Sequence, residues 1–238
     1  MSRGAGMSAF QQIALGLTLL WLAAVALRFR RSTPVLLGGL VGIGTAALLA
    51  LAFGKAAATE LGLALPASWL ATLAWAAGWT ALMFAYSPVA DRLARQVFAA
   101  PPTLKAFRAI QHSAAKLIAG IAIAWLLGGF FEELVFRGVL LRAVEAGLGG
   151  WLPSWLASAV AIAAAAIGAG IVHWYQGPRA MVIITQLSML FGLLFVLTGH
   201  NLYAVILAHG FFDTIAFVRF ARGTSRYAKL GADERALS

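Results

Sequence analysis

Seven apolar stretches, each close to 20 residues long, constrain this chain more than any other feature. They fall at about 10–27, 34–53, 66–86, 117–141, 152–174, 180–199 and 201–219. A stretch of that length crosses the ~30 Å hydrocarbon core of a bilayer as an α-helix. Within that core every backbone N–H and C=O must find its partner inside the chain, and a helix supplies it. Composition points the same way. Of 238 residues, 62% are hydrophobic and 11% charged, whereas a soluble domain is about one quarter charged. Mean hydropathy is +0.88. The expected fold is all-α, a polytopic transmembrane helical bundle of about seven spans. The chain has no cysteine, so disulfides, thiolate nucleophiles and cysteine metal ligands are excluded.

The net charge of +10 has a membrane explanation. Seven spans make the connecting loops alternate between two sides. One side receives Arg28, Arg30, Arg31, Arg92, Arg95, Lys105, Arg108, Lys116, Arg179, Arg219, Arg222, Arg226, Lys229 and Arg235; the other receives Arg3, Lys55 and Arg142. Lys and Arg concentrate on cytoplasmic loops. The expected topology therefore has the amino terminus outside and the carboxyl terminus in the cytoplasm. The expected location is the cytoplasmic membrane of a bacterium. The first stretch carries only Arg3 before it and "RFRR" directly after it, which reads as a retained anchor rather than a cleaved leader.

Residues 87–116 read as the one long loop. Pro101 and Pro102 break it, and Thr103 is placed to cap a short second helix. Leu104, Phe107 and Ile110 form an apolar stripe beside Lys105, Arg108 and Lys116, the pattern of an interfacial amphipathic helix. No aromatic-rich basic surface accompanies it, so nucleic acid is not an expected partner. Gly38 and Gly42 form a small-xxx-small pair suited to close helix packing. The chain divides into 1–116, the amino-terminal spans plus this loop; 117–219, the helical core with the polar residues; and 220–238, a polar tail.

Ionisable groups at membrane depth cost about 3 kcal/mol each on insertion scales. Here they are Glu132, Glu133, Arg137, His173, His209 and Asp213, on three different spans. In "GGFFEELVFRG", Glu133 and Arg137 are four apart and share a helix face. Glu132 points about a hundred degrees away, has no local partner and must look to another helix. In "AHGFFDT", His209 and Asp213 are again four apart. His173 lies in "GIVHWYQG", after Gly168 and Gly170, which allow a helix to approach closely. One carboxylate, two imidazoles and an aspartate converging between helices can hold and deprotonate a water. They can equally ligate zinc through His, His and Glu. Patterns of other intramembrane hydrolases are missing: there is no HExxH, GxSG or GxGD. From the span edges, Glu132 and His209 lie in the outer half and His173 near the inner end. They meet only if the fifth span begins deep or the helices tilt, with "AGLGGWLPSW" as a dipping connection.

"EELVFR" resembles the EExxxR pattern of the CPBP intramembrane proteases, also called the Abi or CAAX-protease family, which includes the Rce1-like prenyl-protein endopeptidases. "TGHNLYAVILAHGFFD" resembles the family's later signature, which ends in HxxxN or HxxxD. His173 stands where the family has FxxxH. The resemblance covers about residues 117–219. It implies an intramembrane endopeptidase acting on a membrane protein or lipidated peptide. It also implies Glu132 as the base for water with His173 assisting, His209 and Asp213 as oxyanion stabilisers or metal ligands, and Glu133 and Arg137 as residues that shape the site. Members are discussed both as zinc enzymes and as metal-independent glutamate proteases. Two positions depart from the pattern. Ala169 replaces the aromatic residue of FxxxH. Asp213 replaces the Asn of the prenyl-protease branch, and an ionised Asp cannot donate to an oxyanion. Asp213 must then be protonated, orient His209 or ligate a metal. Two other functions compete: a proton-coupled transporter with Glu132 and Arg137 as a relay, and a non-catalytic membrane scaffold.

Overall fold

The computed structural model describes residues 6–27 and 33–225. Arg3, Arg28, Arg30, Arg31, Arg226, Lys229 and Arg235, which carry much of the expected charge asymmetry, lie outside the described residues. The described chain forms seven long helices and no strand. They are α1 (Ala9–Leu27), α2 (Thr33–Ala52), α3 (Trp69–Val97), α4 (Ala114–Leu148), α5 (Ser154–Val172), α6 (Pro178–Leu197) and α7 (Leu202–Ala221). The all-α bundle is as expected. Six helices are long and apolar enough to cross a membrane. The exception is α3, where three tryptophans, two threonines and the charged end around Asp91, Arg92 and Arg95 lower the hydropathy. It packs between α6 and α7 all the same.

Local chemistry sets the helix ends. Ser68, Ser113 and Asn201 each accept a hydrogen bond from a backbone N–H in the first turn of α3, α4 and α7. Pro178 opens α6, where its missing N–H costs nothing. Gly177, at φ +95, supplies the left-handed turn before it.

Three expectations need correction. Residues 87–97 are not loop: α3 runs through Pro88 to Val97. Thr103 caps nothing, because the short 3₁₀ turn Lys105–Gln111 begins at Leu104 without a side-chain cap. Its apolar stripe turns toward the bundle, with Ile110 buried and Phe107 packed on Phe217 of α7 at 5.4 Å. Gly38 and Gly42 face away from the bundle: a Cβ on either would touch nothing within 4 Å. The close approaches of α2 are at Gly39, against Trp21, and Gly44, against Phe131.

Small residues bring α5 and α6 together. A Cβ on Gly170 would lie 2.0 Å from Thr185 Oγ1, and one on Gly192 would lie 3.0 Å from Ile162. Gly168 lets α1 and α4 approach through Leu22 and Phe136. At one end of the bundle Arg179 pairs with Asp91 at 2.6 Å, and its Nη1 donates to Ala99 O. This arginine, expected in a loop, is buried. At the other end, the 53–68 connection tucks Leu61, fully buried, under α4 and α7. Leu202 N donates to Gly62 O there.

Candidate active site

The centre of α4 carries both glutamates. The helix is 35 residues long, and hydrogen bonding over Ala124–Glu132 and Leu134–Leu141 widens to the π pattern. Such widening inside an α-helix commonly marks functional segments. The extra length reconciles the depths of the polar residues. With α4 spanning Ala114–Leu148, Glu132 sits near its middle and not in its outer half. The helix outruns the expected end at 141 because Arg142 and Glu145 pair with each other at 2.9 Å and so stay helical. The connection after it is a short turn, not a dipping segment.

Glu133 and Arg137 pair as their spacing predicts, Nη1 to Oε1 at 3.1 Å, with both side chains almost wholly buried. The same Oε1 lies 2.6 Å from His209 Nδ1 of α7. Glu133 therefore joins a cation on its own helix to an imidazole on another. Sequence reasoning assigned it only to Arg137. A carboxylate at Nδ1 leaves Nε2 as the edge of His209 that faces the site.

His209 Nε2 is 3.5 Å from Asp213 Oδ2, so the HxxxD face forms as expected. Gly128 stands beside this edge. A Cβ there would lie 3.1 Å from Asp213 Oδ2 and 3.4 Å from His209 Nε2. The glycine keeps open a space that any side chain would occupy.

Glu132 looks to another helix, as expected. His173 Nε2 lies 3.9 Å from Glu132 Oε1, with both side chains about one-sixth exposed. That is beyond a direct hydrogen bond and within reach of one shared water. His173 sits just past the end of α5. Its Nδ1 is 2.7 Å from Ala169 O. A carbonyl only accepts, so Nδ1 carries a proton, and the Nε2 edge of the ring is the one that faces Glu132. Ala169 thus serves through its backbone, where the resemblance leads one to look for an aromatic side chain. The ring that packs on His173 is Tyr175, at 5.9 Å and 29°.

Helix α6 adds two groups that no motif marked. Ser188 Oγ and Ser188 O both accept from Arg137 Nη2, at 2.5 and 2.7 Å. Phe191 stacks on His209 at 4.7 Å and 21°. A polar residue inside the "QLSMLF" span was a usable signal for Ser188; an apolar one in an apolar span gave none for Phe191. His200 and His112 stand apart from the site. His200 belongs to a second cluster with Glu145.

Zinc does not fit the residues as placed. Among the described residues, no three His, Asp or Glu side chains converge closely enough to hold a metal ion. Glu132 has its closest titratable neighbour in His173, whereas His209 is turned to Glu133 and Asp213. No step below is routed through a metal.

Comparison with known proteins agrees with the geometry. The family model for type II CAAX prenyl endopeptidase Rce1-like proteins matches residues 114–215. No curated protein and no solved structure matches the chain. The matched segment runs from the start of α4 into α7 and contains the whole polar cluster. Over residues 114–215, which hold every polar residue of the site, the chain is therefore similar to the Rce1-like type II CAAX prenyl endopeptidases.

Proposed function

We propose that this protein is an intramembrane endopeptidase that hydrolyses a peptide bond of a membrane-associated protein or peptide, lipidated substrates included, by a metal-independent glutamate mechanism. The observation that carries this reading is the 3.9 Å gap between Glu132 Oε1 and His173 Nε2. A water held there can donate a hydrogen bond to the Glu132 carboxylate while it contacts the Nε2 edge of His173.

Glu132 acts as the general base. It takes a proton from that water as the oxygen attacks the scissile carbonyl carbon. The carbonyl oxygen becomes an oxyanion as the new C–O bond forms. His209 supplies the donor for it from Nε2. Only the imidazolium form donates from both nitrogens, one to Glu133 and one into the site. Asp213 lies beside Nε2 and orients the ring, which is the role that an ionised carboxylate can fill here. Collapse of the intermediate breaks the C–N bond, and protonated Glu132 returns its proton to the leaving amine. Glu133 and Arg137 do not touch the reacting atoms in this scheme; they hold His209. The amino terminus outside and the carboxyl terminus in the cytoplasm remain the proposed topology. It is supported at the carboxyl-terminal end of α3 and α7 by exposed Arg92, Arg95, Arg219 and Arg222.

The test is cleavage of a lipidated peptide library by purified protein in detergent, with Glu132→Gln beside the wild type. Gln keeps the shape and cannot accept the proton. Loss of about 10²–10⁴-fold in kcat is expected. Equal cleavage by both proteins would remove Glu132 from the base role. Activity that survives a strong chelator is the expected companion result.

A further inference from the structure

We infer that Phe191 and Ser188 of α6 are positioning residues for the oxyanion-binding imidazole. The inference rests on the catalytic reading of His209 given above.

Glu133, Arg137, Phe191 and His209 close into a ring of contacts. Glu133 Oε1 touches Arg137 Nη1 at 3.1 Å and His209 Nδ1 at 2.6 Å. The Arg137 guanidinium lies over the Phe191 ring at 5.5 Å, and the other neighbour of that ring is the His209 imidazole at 4.7 Å. Ser188, three residues earlier on α6, lies on the same helix face. It fixes Arg137 through both its hydroxyl and its carbonyl. Both residues are buried.

An imidazole needs two constraints before its far nitrogen has a defined direction. The Nδ1 contact with Glu133 sets which edge of the ring meets the carboxylate. It leaves the plane loosely set, because rotation about the Cβ–Cγ bond has a broad minimum and one contact narrows it only in part. The flat face of Phe191, 21° from parallel, supplies the second constraint. Together they aim Nε2 at the space that Gly128 leaves open beside Asp213. A branched aliphatic side chain fills the same volume but offers no flat face.

The experiment compares wild type, Phe191→Leu, Phe191→Tyr, Ser188→Ala and Glu132→Gln. It uses a fluorogenic farnesylated peptide with a CAAX end, together with spectra of ¹⁵N-histidine-labelled protein in micelles. Phe191→Leu should lower kcat by about 10- to 100-fold, the cost of displacing a catalytic group by about 1 Å. KM should be unchanged, and the His209 ring nitrogen signals should move. Phe191→Tyr should restore both. Ser188→Ala should lower kcat less, again at constant KM. Wild-type kcat and unmoved His209 signals in Phe191→Leu overturn the inference. So does equal loss in Leu and Tyr variants that tracks a fall in melting temperature, which marks plain packing. If Glu132→Gln cleaves like the wild type, the catalytic reading itself fails; if Glu132→Gln is dead and Phe191→Leu is not, only the positioning inference fails. The spectra decide even for a peptide that the wild type does not cleave: unmoved His209 signals in Phe191→Leu refute the positioning.

Discussion

Helix α4 carries two charged clusters built from nearly the same residues, and they differ in how tightly their carboxylates are held. At mid-helix, Glu132 and Glu133 face Arg137, His173, His209 and Asp213. One end holds Arg142 and Glu145, with Ser158 from α5 and His200 from the α6–α7 turn. The end cluster is closed in one sense, that both oxygens of Glu145 are engaged. Glu145 accepts from Arg142 Nη1 at 2.9 Å, from Ser158 Oγ through its other oxygen, and meets His200 Nε2 at 2.9 Å. In the central cluster Glu133 Oε1 is held from two sides, by Arg137 and His209. The Glu132–His173 and His209–Asp213 halves stop at 3.9 and 3.5 Å. Ion pairs tie helices together in both places. The two wider gaps fall at the residues of the EExxxR, His173 and HxxxD motifs. In the proposed mechanism the working groups are those held firmly on one side and left with room on the other.

The largest expected effect separates the two glutamates that differ in this respect. Glu132→Gln should remove about 10²–10⁴-fold of kcat, whereas Glu145→Gln should leave kcat unchanged. The same cleavage assay reads both. An equal loss in the two would erase the functional distinction between the clusters. Next come the arginines. Arg137→Met leaves fully buried Glu133 with His209 as its remaining partner, and breaking a buried pair costs up to about 3–5 kcal/mol. Arg142, with a side chain 25% exposed, should cost at most about 1 kcal/mol when replaced by Met. Thermal unfolding in a single detergent measures the difference, and similar melting temperatures would contradict the burial difference between the pairs.

Much of this division was legible in the sequence. Span length gave the helices, and four-residue spacing gave Glu133 with Arg137 and His209 with Asp213. The hundred-degree offset gave Glu132 a partner from elsewhere. What stayed hidden is tertiary. Nothing local says that Glu133 reaches His209, because that contact joins residues 76 apart in sequence. Phe191 is invisible as one apolar residue among many. Arg142 reads as a loop residue because its partner, Glu145, comes from the extra turns of α4. Arg179 counted as a loop cation for the same reason, since its partner Asp91 lies on a part of α3 taken for loop. Gly38 and Gly42 mislead through spacing alone: the motif fits, but it faces away from the bundle.

Gly128→Ala sharpens the comparison at the central cluster by moving stability and activity in opposite directions. Alanine is favoured over glycine in a helix interior by about 1 kcal/mol, so the helix itself gains. The new Cβ, however, would stand 3.1 Å from Asp213 Oδ2 and fill the space beside Nε2. The expected outcome is a melting temperature equal to or above wild type with kcat/KM reduced about 10-fold or more. An unchanged kcat/KM would show that the gap beside His209 is not where substrate sits.

The smallest effect is expected at the closed cluster, and it tests whether that cluster is only a clamp. His200 holds φ +64, the one non-glycine residue at positive φ among those described. A left-handed conformation costs a side-chain-bearing residue about 1–2 kcal/mol. Its backbone nonetheless completes the end of α6, with His200 N donating to Phe195 O at 2.7 Å. His200→Gly removes that backbone cost and also removes the contact with Glu145. A partly exposed ion pair contributes about 0–1 kcal/mol, so the two changes oppose each other and nearly cancel. The melting temperature should stay close to wild type, and kcat should not move. A large loss of kcat would mean that the contact between the ends of α4 and α7 governs the active geometry further down the same two helices, and the closed cluster would then belong to the working site. A large loss of stability alone would mean that the histidine ring, packed edge-on against Phe195 at 5.1 Å, contributes more through packing than through charge.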